Sequence, residues 1–536
     1  MYWDEIHKNV DDILLQYGFN SNSFDEKNMI IDATKRFNNK EIPAKVLRQL
    51  CKYISNESKI DFLNNLYNKD VVKENMERLP PSVLLQDLEK TGNLLSIKLA
   101  SKMLGYVLIE EYDKSTKTNQ LERFKKVINR CENNQQMQFE NNNAYYESTV
   151  KNKAINIFVN HIVDRNLKGE VKPLGLPKSM NFGVELEFVK IYYKDFQKLV
   201  KSLKKYNINF FDGFDIKRDI SVKKADSEEE ICWGIDSDEK KYLGTEVVSP
   251  VLKDCEEDWT RLQKVMTFIK CVGSVTNSTC GGHIHIDANV LGYDTIAWHT
   301  CSDVYAMIEP LFYNISNRRG EKVRDGACEY AKETAENLER IEWKDVIINN
   351  VADLEKFVRH VAMEKRLQQN RWGTRTETEF PRYKSLNLTP IMDNRKPNTM
   401  EFRVFNGTID YSILRENVLL AGSHVKSAKL YSISSDEGIE RNFKLLFEQG
   451  LSEKEMLIRY LNFLFGDKDE YKAIFYDRWA SKVGRNSEKL DYMSIRQWNG
   501  TLPYKKQYNS ENVKKGSYIG KKEVYDIKIT KEEKER

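Results

Sequence analysis

The 536-residue sequence predicts two to four domains at roughly 100–200 residues each, with 85 Lys and Arg against 81 Asp and Glu, 40% hydrophobic and 11% aromatic residues. That composition excludes a disordered chain, and the formal net charge of +4 is too small for bulk attraction to nucleic acid, so no nucleic-acid partner is expected. No apolar run approaches the roughly 20 residues of a spanning helix, and the eight Cys are scattered without a C-x-x-C pair, so neither a helical membrane protein nor a zinc ribbon or disulfide framework is expected.

In chain order, Met1–Ile6 is acidic and amphipathic and reads as no export signal, which gives a cytoplasmic expectation. Residues 1–169 then carry 3.6-period apolar blocks and predict a helical N-terminal domain. Val46, Leu47, Leu50 and Cys51 form one stripe after Pro43. A second block runs from Pro81 to Leu108, with Gly92 and Asn93 marking a break between two helices. Asn133–Asn143 reads as a polar connector, and Gly169–Pro177, with two Pro and two Gly, as a linker.

From 178 to about 430 short alternating strands appear beside helices at Asp258–Val272 and Thr295–Phe312. Residues 431–536 predict a helical extension, with helix over Asn442–Phe465 and a charged tail beyond Lys521. The size of the N-terminal zone and its separation by the linker give it the expected task of recruiting a macromolecular substrate.

The chemistry lies in the middle zone. A strand places residues i and i+2 on one face, about 6.6 Å apart. In Phe182–Phe188 the apolar residues take one face, and Glu185 and Glu187 share the other. Gly281–Asp287 likewise sets His283, His285 and Asp287 opposite Ile284 and Ile286, and its glycines allow close approach of a ligand or another backbone. Met400–Phe405 groups Glu401 with Arg403, and Gly244–Pro250 contributes Glu246. Each strand alone also reads as ordinary surface polarity; an exposed Glu–Arg pair is worth under about 1 kcal/mol. Together they form an oxygen-rich donor set that favours Mg2+ or Mn2+ over Zn2+, suited to holding ions on nucleotide phosphates. The zone has no G-x-x-x-x-G-K-[ST], so a nucleotide is held without a P-loop.

These motifs occur in a telling order: Glu185-Leu186-Glu187, then Glu246 in Thr-Glu-Val-Val-Ser-Pro, then Gly281-Gly282-His283-Ile284-His285. Arg382-Tyr383-Lys384-Ser385-Leu386-Asn387-Leu388 and Glu401-Phe402-Arg403-Val404-Phe405-Asn406-Gly407-Thr408 follow. The series resembles the amidoligase family of carboxylate–amine ligases over residues 178–430. The resemblance implies an α+β fold, with a glutamine synthetase-like curved antiparallel sheet and helices, that binds ATP and divalent ions.

By the same resemblance, Glu185, His283 and Glu401 match ligands of one metal, and Glu187 and Glu246 ligands of a second. His285, Arg403 and Arg382 match phosphate contacts, Arg319 matches a substrate or phosphate contact, and Glu187, Arg403 and Arg319 carry the catalytic assignment. The implied reaction activates a carboxylate as an acyl phosphate and joins it to an amine of a peptide, protein or cell-wall substrate.

Two rivals stand beside it. His-x-His also occurs in metal hydrolases, although Ala288 stands where an H-x-H-x-D-H motif needs His. A non-catalytic ATP- and metal-binding scaffold would keep the same donors without turnover.

Overall fold

The computed structural model describes residues 14–19, 25–67, 72–89, 95–115, 119–133, 144–219, 222, 244–317, 331, 334, 346–362, 365–369, 375–379, 383–393, 397–448 and 450–483. Arg319, Arg382, the 134–143 connector and the tail beyond Lys521 lie outside them. The chain divides into two compact units. The first comprises Met1–Leu167, Asp195–Asp212 and Thr267–Gly273; the second comprises Lys168–Lys194, Gly213–Met266 and Ser274–Arg536. Among the described residues no helix is long and apolar enough to cross a membrane.

The first unit contains α1 (Glu26–Asn38), α2 (Ala44–Tyr53), α3 (Asn56–Leu66), α4 (Val72–Arg78), α5 (Pro81–Glu89), α6 (Ile97–Lys114), α7 (Gln120–Asn133) and α8 (Ala144–Asp164). The stripe after Pro43 becomes α2, with Val46, Leu47, Leu50 and Cys51 all buried. The α5 and α6 helices flank the break read at Gly92. Ser96 caps α6 by accepting from Leu99 N, which satisfies one of the free amides at a helix start. At Gly105 a Cβ would stand 2.7 Å from Ile157 Cγ2, so the α6–α8 approach depends on the missing side chain.

The second unit is α+β. Its main sheet has seven strands, all antiparallel and not closed into a barrel: β1 (Asn181–Phe188), β2 (Asp215–Arg218), β3 (Thr245–Val248), β4 (Leu252–Lys253), β5 (Gly281–Asp287), β8 (Leu386–Asn387) and β9 (Thr399–Asn406). Their order is β2-β3-β1-β5-β9-β8, with β4 also on β1; β6 (Lys365–Gln369) and β7 (Arg375–Glu379) form a separate hairpin. The helices are α9 (Tyr193–Lys205) and α10 (Glu256–Cys271), each divided between the two units, then α11 (Thr295–Ile315), α12 (Val351–Ala362), α13 (Tyr411–Ile433), α14 (Glu437–Leu446), α15 (Glu453–Phe465) and α16 (Asp469–Val483). The helix read over Asn442–Phe465 is two helices, because Ser452 and Glu455 build a capping box that starts α15 afresh.

The apolar face of the sheet follows from alternation. Phe182 pairs with Ile286, Val184 with Ile284, Leu186 with Val247 and Ile284 with Phe402. Trp259 of α10 stacks on Phe182 at 4.9 Å, and Phe312 of α11 stacks on Phe402 at 5.8 Å. At about 1.5–3 kcal/mol for each large apolar side chain fully buried, this face outweighs the electrostatic cost carried on the other one.

The stretch read as a linker has no regular secondary structure and is pinned within the second unit. Asp254 accepts from Leu174 N (2.7 Å), Leu176 N (2.8 Å) and Trp259 Nε1 (2.8 Å), and Lys426 Nζ donates to Gly175 O at 3.0 Å.

His299 and His424 are buried in α11 and α13, and burial lowers both to about 4, against the hydrogen bonds that His299 makes to Val346 O and His424 to Cys301 O. In the unfolded chain both titrate near 6.5. As pH falls from about 6.5 toward 4, the unfolded state takes up protons first, so stability present above 6.5 is lost across that window, at about 3 kcal/mol for each residue. Urea denaturation at pH 7.5 and 4.5 is expected to show this loss, and His424→Gln to show a smaller one. An unchanged pH slope in His424→Gln would refute the assignment.

Candidate active site

The other face of the sheet gathers the chemistry through register. Glu185 of β1 lies opposite His283 of β5, Glu187 opposite Glu246 of β3, and His285 opposite Glu401 of β9. Two outer strands extend the row, with Lys217 opposite Glu246 and Asn387 opposite Glu401. Directly opposed residues sit roughly 5 Å apart, where two carboxylates repel by roughly 3 kcal/mol at an effective dielectric of 20.

A bulge makes the β5–β9 part of this face. Between the pairs Gly282–Phe405 and Ile284–Phe402 the register shifts, β9 holding one residue more than β5. In an unbroken strand Phe405 would share the face of Glu401 and Arg403. With the extra residue, both Phe402 and Phe405 contact Phe312 while Glu401 and Arg403 face the other side. Gly282 sits at the bulge, where a Cβ would meet Asn406 O at 2.6 Å. The close approach expected of the double glycine is therefore that of the neighbouring backbone. Gly281 N donates to Glu187 Oε2.

Glu185 is the hub. Its Oε2 lies 2.6 Å from His283 Nδ1 and its Oε1 3.1 Å from His285 Nε2. Burial works against its charge, but the two imidazoles prevail and hold the carboxyl well below the usual carboxylate range. Glu401 Oε2 accepts from Asn387 Nδ2 at 2.6 Å, and Oε1 accepts from Arg403 Nη1. Despite its burial, Arg403 and the imidazoles keep Glu401 below the ordinary range; Arg403 is held above its own against the cost of burial, chiefly by Glu401 and Glu185.

His283 is lowered, first by burial and then by Arg403. His285 is raised, because Glu185 and Glu401 together outweigh the effect of burial. Glu246 is pushed up to about 9 by burial and by the charges of Glu185, Asp219 and Glu187.

The structure thus brings Glu185, Glu187, Glu246, His283, His285, Glu401 and Arg403 onto one face; Arg319 and Arg382 lie outside the described residues. Asp287 turns to a local task, accepting from Asn181 Nδ2 (3.0 Å) and Asn289 N (3.0 Å) as the cap of the following turn. Two contributors carry no role in the motif reading. Asn387 was visible in Leu-Asn-Leu, and Thr399, whose Oγ1 is 3.1 Å from His285 Nδ1, stands two residues before Glu401 on the same face of β9.

Residues 178–423, just under half of the chain, match the family described as "Putative amidoligase enzyme". This region belongs to the amidoligase family. Membership points to an enzyme of the ligase class. No curated protein and no solved structure matches the chain.

Proposed function

We propose that the amidoligase region is an ATP-dependent carboxylate–amine ligase with a glutamine synthetase-like catalytic sheet, working in the cytoplasm on peptide, protein or cell-wall material. One observation carries the reading: four carboxylates, two imidazoles and one guanidinium, from four strands far apart in sequence, occupy a single sheet face of an amidoligase-family region.

The residues fit divalent ions. Oxygen donors predominate, as Mg2+ or Mn2+ requires. Burial first, and then the charges of Glu185, Asp219 and Glu187, push Glu246 up to about 9, and a cation would offset that surplus of negative charge. His283 Nε2, buried and without a hydrogen-bond partner, faces Glu187 Oε1 at 3.8 Å. Glu185, Glu401 and one imidazole would hold one ion, and Glu187 with Glu246 another. Such ions neutralise charge on ATP phosphate oxygens.

The protein's own groups account for the rest. Arg403, kept charged by its carboxylate neighbours, offers a guanidinium to the transferred phosphoryl group, and Arg382, Arg319 and the second imidazole are further phosphate or substrate contacts in this reading. The substrate carboxylate attacks the γ-phosphorus of ATP, ADP leaves and an acyl phosphate forms. The amine then attacks the acyl carbon, phosphate leaves and the amine gives up a proton.

Mass spectrometry after incubation with ATP, Mg2+ and cell extract is expected to reveal products joined with loss of one water per bond, only when ATP is present. Cleavage of peptides or esters without ATP would replace this reading with a hydrolase, and ATP binding without turnover with a scaffold.

A further inference from the structure

We infer that Glu309 is a positioning residue for Arg403 and Glu401, holding them in place through Ser385 and the short edge strand β8. The inference rests on the proposed function, in which Glu309 itself takes no chemical part.

Glu309 is buried in α11, the helix that stacks on β9 through Phe312 and Phe402. A carboxylate is costly to bury unless donors surround it. Here both oxygens accept from Thr334 N, at 2.8 and 3.0 Å, and Oε1 also accepts from Ser385 Oγ. An acceptor-only group fixes the direction of the hydroxyls beside it. With its proton given to Glu309, the Ser385 hydroxyl accepts from Tyr305 OH at 3.0 Å and from Thr334 Oγ1 at 3.1 Å. Thr334 Oγ1 in turn accepts from Leu386 N at 3.2 Å. Thr334, Ser385 and Tyr305 are buried like Glu309.

The strand β8 needs such an anchor. It has two residues, fewer than most strands, and it ends the sheet order with β9 as its sheet partner. Yet this segment makes two contacts with the candidate site. Ser385 O accepts from Arg403 N at 2.7 Å, and Asn387 Nδ2 donates to Glu401 Oε2 at 2.6 Å. The Asn387 amide is already oriented, because its Oδ1 accepts from Thr389 N and Thr389 Oγ1 at 3.0 and 2.8 Å. What remains to be fixed is the strand itself, and the Glu309 network grips it at Ser385 Oγ and Leu386 N. One buried carboxylate thereby sets the backbone of Arg403 and a hydrogen bond of Glu401.

Two measurements on the whole protein test this. Glu309→Gln keeps the size but turns one acceptor into an N–H group among donors. Hydrogen exchange read by mass spectrometry, without ATP, should then run at least about 10-fold faster in peptides spanning Ser385–Asn387 and Glu401–Arg403. In initial-rate assays of ATP-dependent product formation, kcat should fall about 10- to 100-fold, the scale of a displacement of about 1 Å. The KM for ATP should stay within about twofold, the pattern of a contact made only in the transition state. Ser385→Ala should match this loss, and the double variant should lose no more than either single one, because both interrupt one line of contacts. Should Glu309→Gln fail to fold, Ser385→Ala and Thr334→Val decide the matter by the same two readouts. Unchanged exchange, a kcat within about threefold of the unaltered protein, or losses that multiply in the double variant would overturn the inference and leave the ligase reading standing. No ATP-dependent product from the unaltered protein would overturn the ligase reading and this inference with it.

Discussion

Glu401→Gln is expected to lower ATP-dependent ligation at least about 100-fold, the scale on which enzymes lose rate when one preorganised electrostatic group is removed. The carboxylate uses both oxygens at once, taking Asn387 Nδ2 on Oε2 and Arg403 on Oε1, with His283 Nδ1 3.5 Å from the latter. Glutamine keeps the shape but offers one acceptor to two donors, so one of Asn387 or Arg403 meets an N–H group. It also removes the charge that holds Arg403 above its ordinary range. The local cost of an unsatisfied donor is about 1–3 kcal/mol, which the buried apolar face of the sheet can absorb, so thermal unfolding should stay cooperative and circular dichroism unchanged. Initial rates of ATP-dependent product formation measure the effect. A rate within threefold of the unaltered protein would remove Glu401 from the machinery.

The largest expected loss of stability lies away from that site. Asp294 and Lys429 form a fully buried ion pair at 3.1 Å. Asp294 Oδ2 also accepts from Ser432 Oγ at 2.7 Å, while Oδ1 caps α11 through Ala297 N at 3.1 Å; Lys429 Nζ donates to Leu291 O at 3.2 Å. One carboxylate thus ties the start of α11 to α13, the two helices stacked behind the sheet. Asp294→Asn preserves the size and the cap but leaves the Lys429 charge buried without its counter-ion, at a cost of roughly 3–5 kcal/mol. Asp294→Asn combined with Lys429→Met removes the stranded charge and should recover most of that loss. Urea denaturation of the three proteins decides it. A double variant no more stable than Asp294→Asn would show that the penalty comes from packing and not from the charge.

How much of this was legible beforehand differs from element to element. Period-2 alternation in Phe182–Phe188 and Gly281–Asp287 was enough to put Glu185, Glu187, His283 and His285 on the polar side of their strands, because successive side chains of a strand point to opposite faces. In β9 alternation also put Glu401 and Arg403 together with Phe402 and Val404 behind, but it did not reach Phe405, which is buried next to Val404. A bulge is a property of two strands together and leaves little trace in either one. The composition of Gly169–Pro177 reads as a linker, yet could not say that Asp254, about 80 residues on, would fasten it.

By itself, then, the sequence determined the helical and strand periodicities, the amidoligase motifs and the acids, imidazoles and arginine available for chemistry, since periodicity and composition are local properties. Only the tertiary structure decided which of those groups face one another. Pairing register across β1, β3, β5 and β9 selects the neighbours, and with them which oxygen of Glu185 each histidine meets, Oε2 for His283 and Oε1 for His285. Those distances arise from residues up to 216 positions apart, Glu185 to Glu401, and depend on strand register and bulge geometry that no single segment carries.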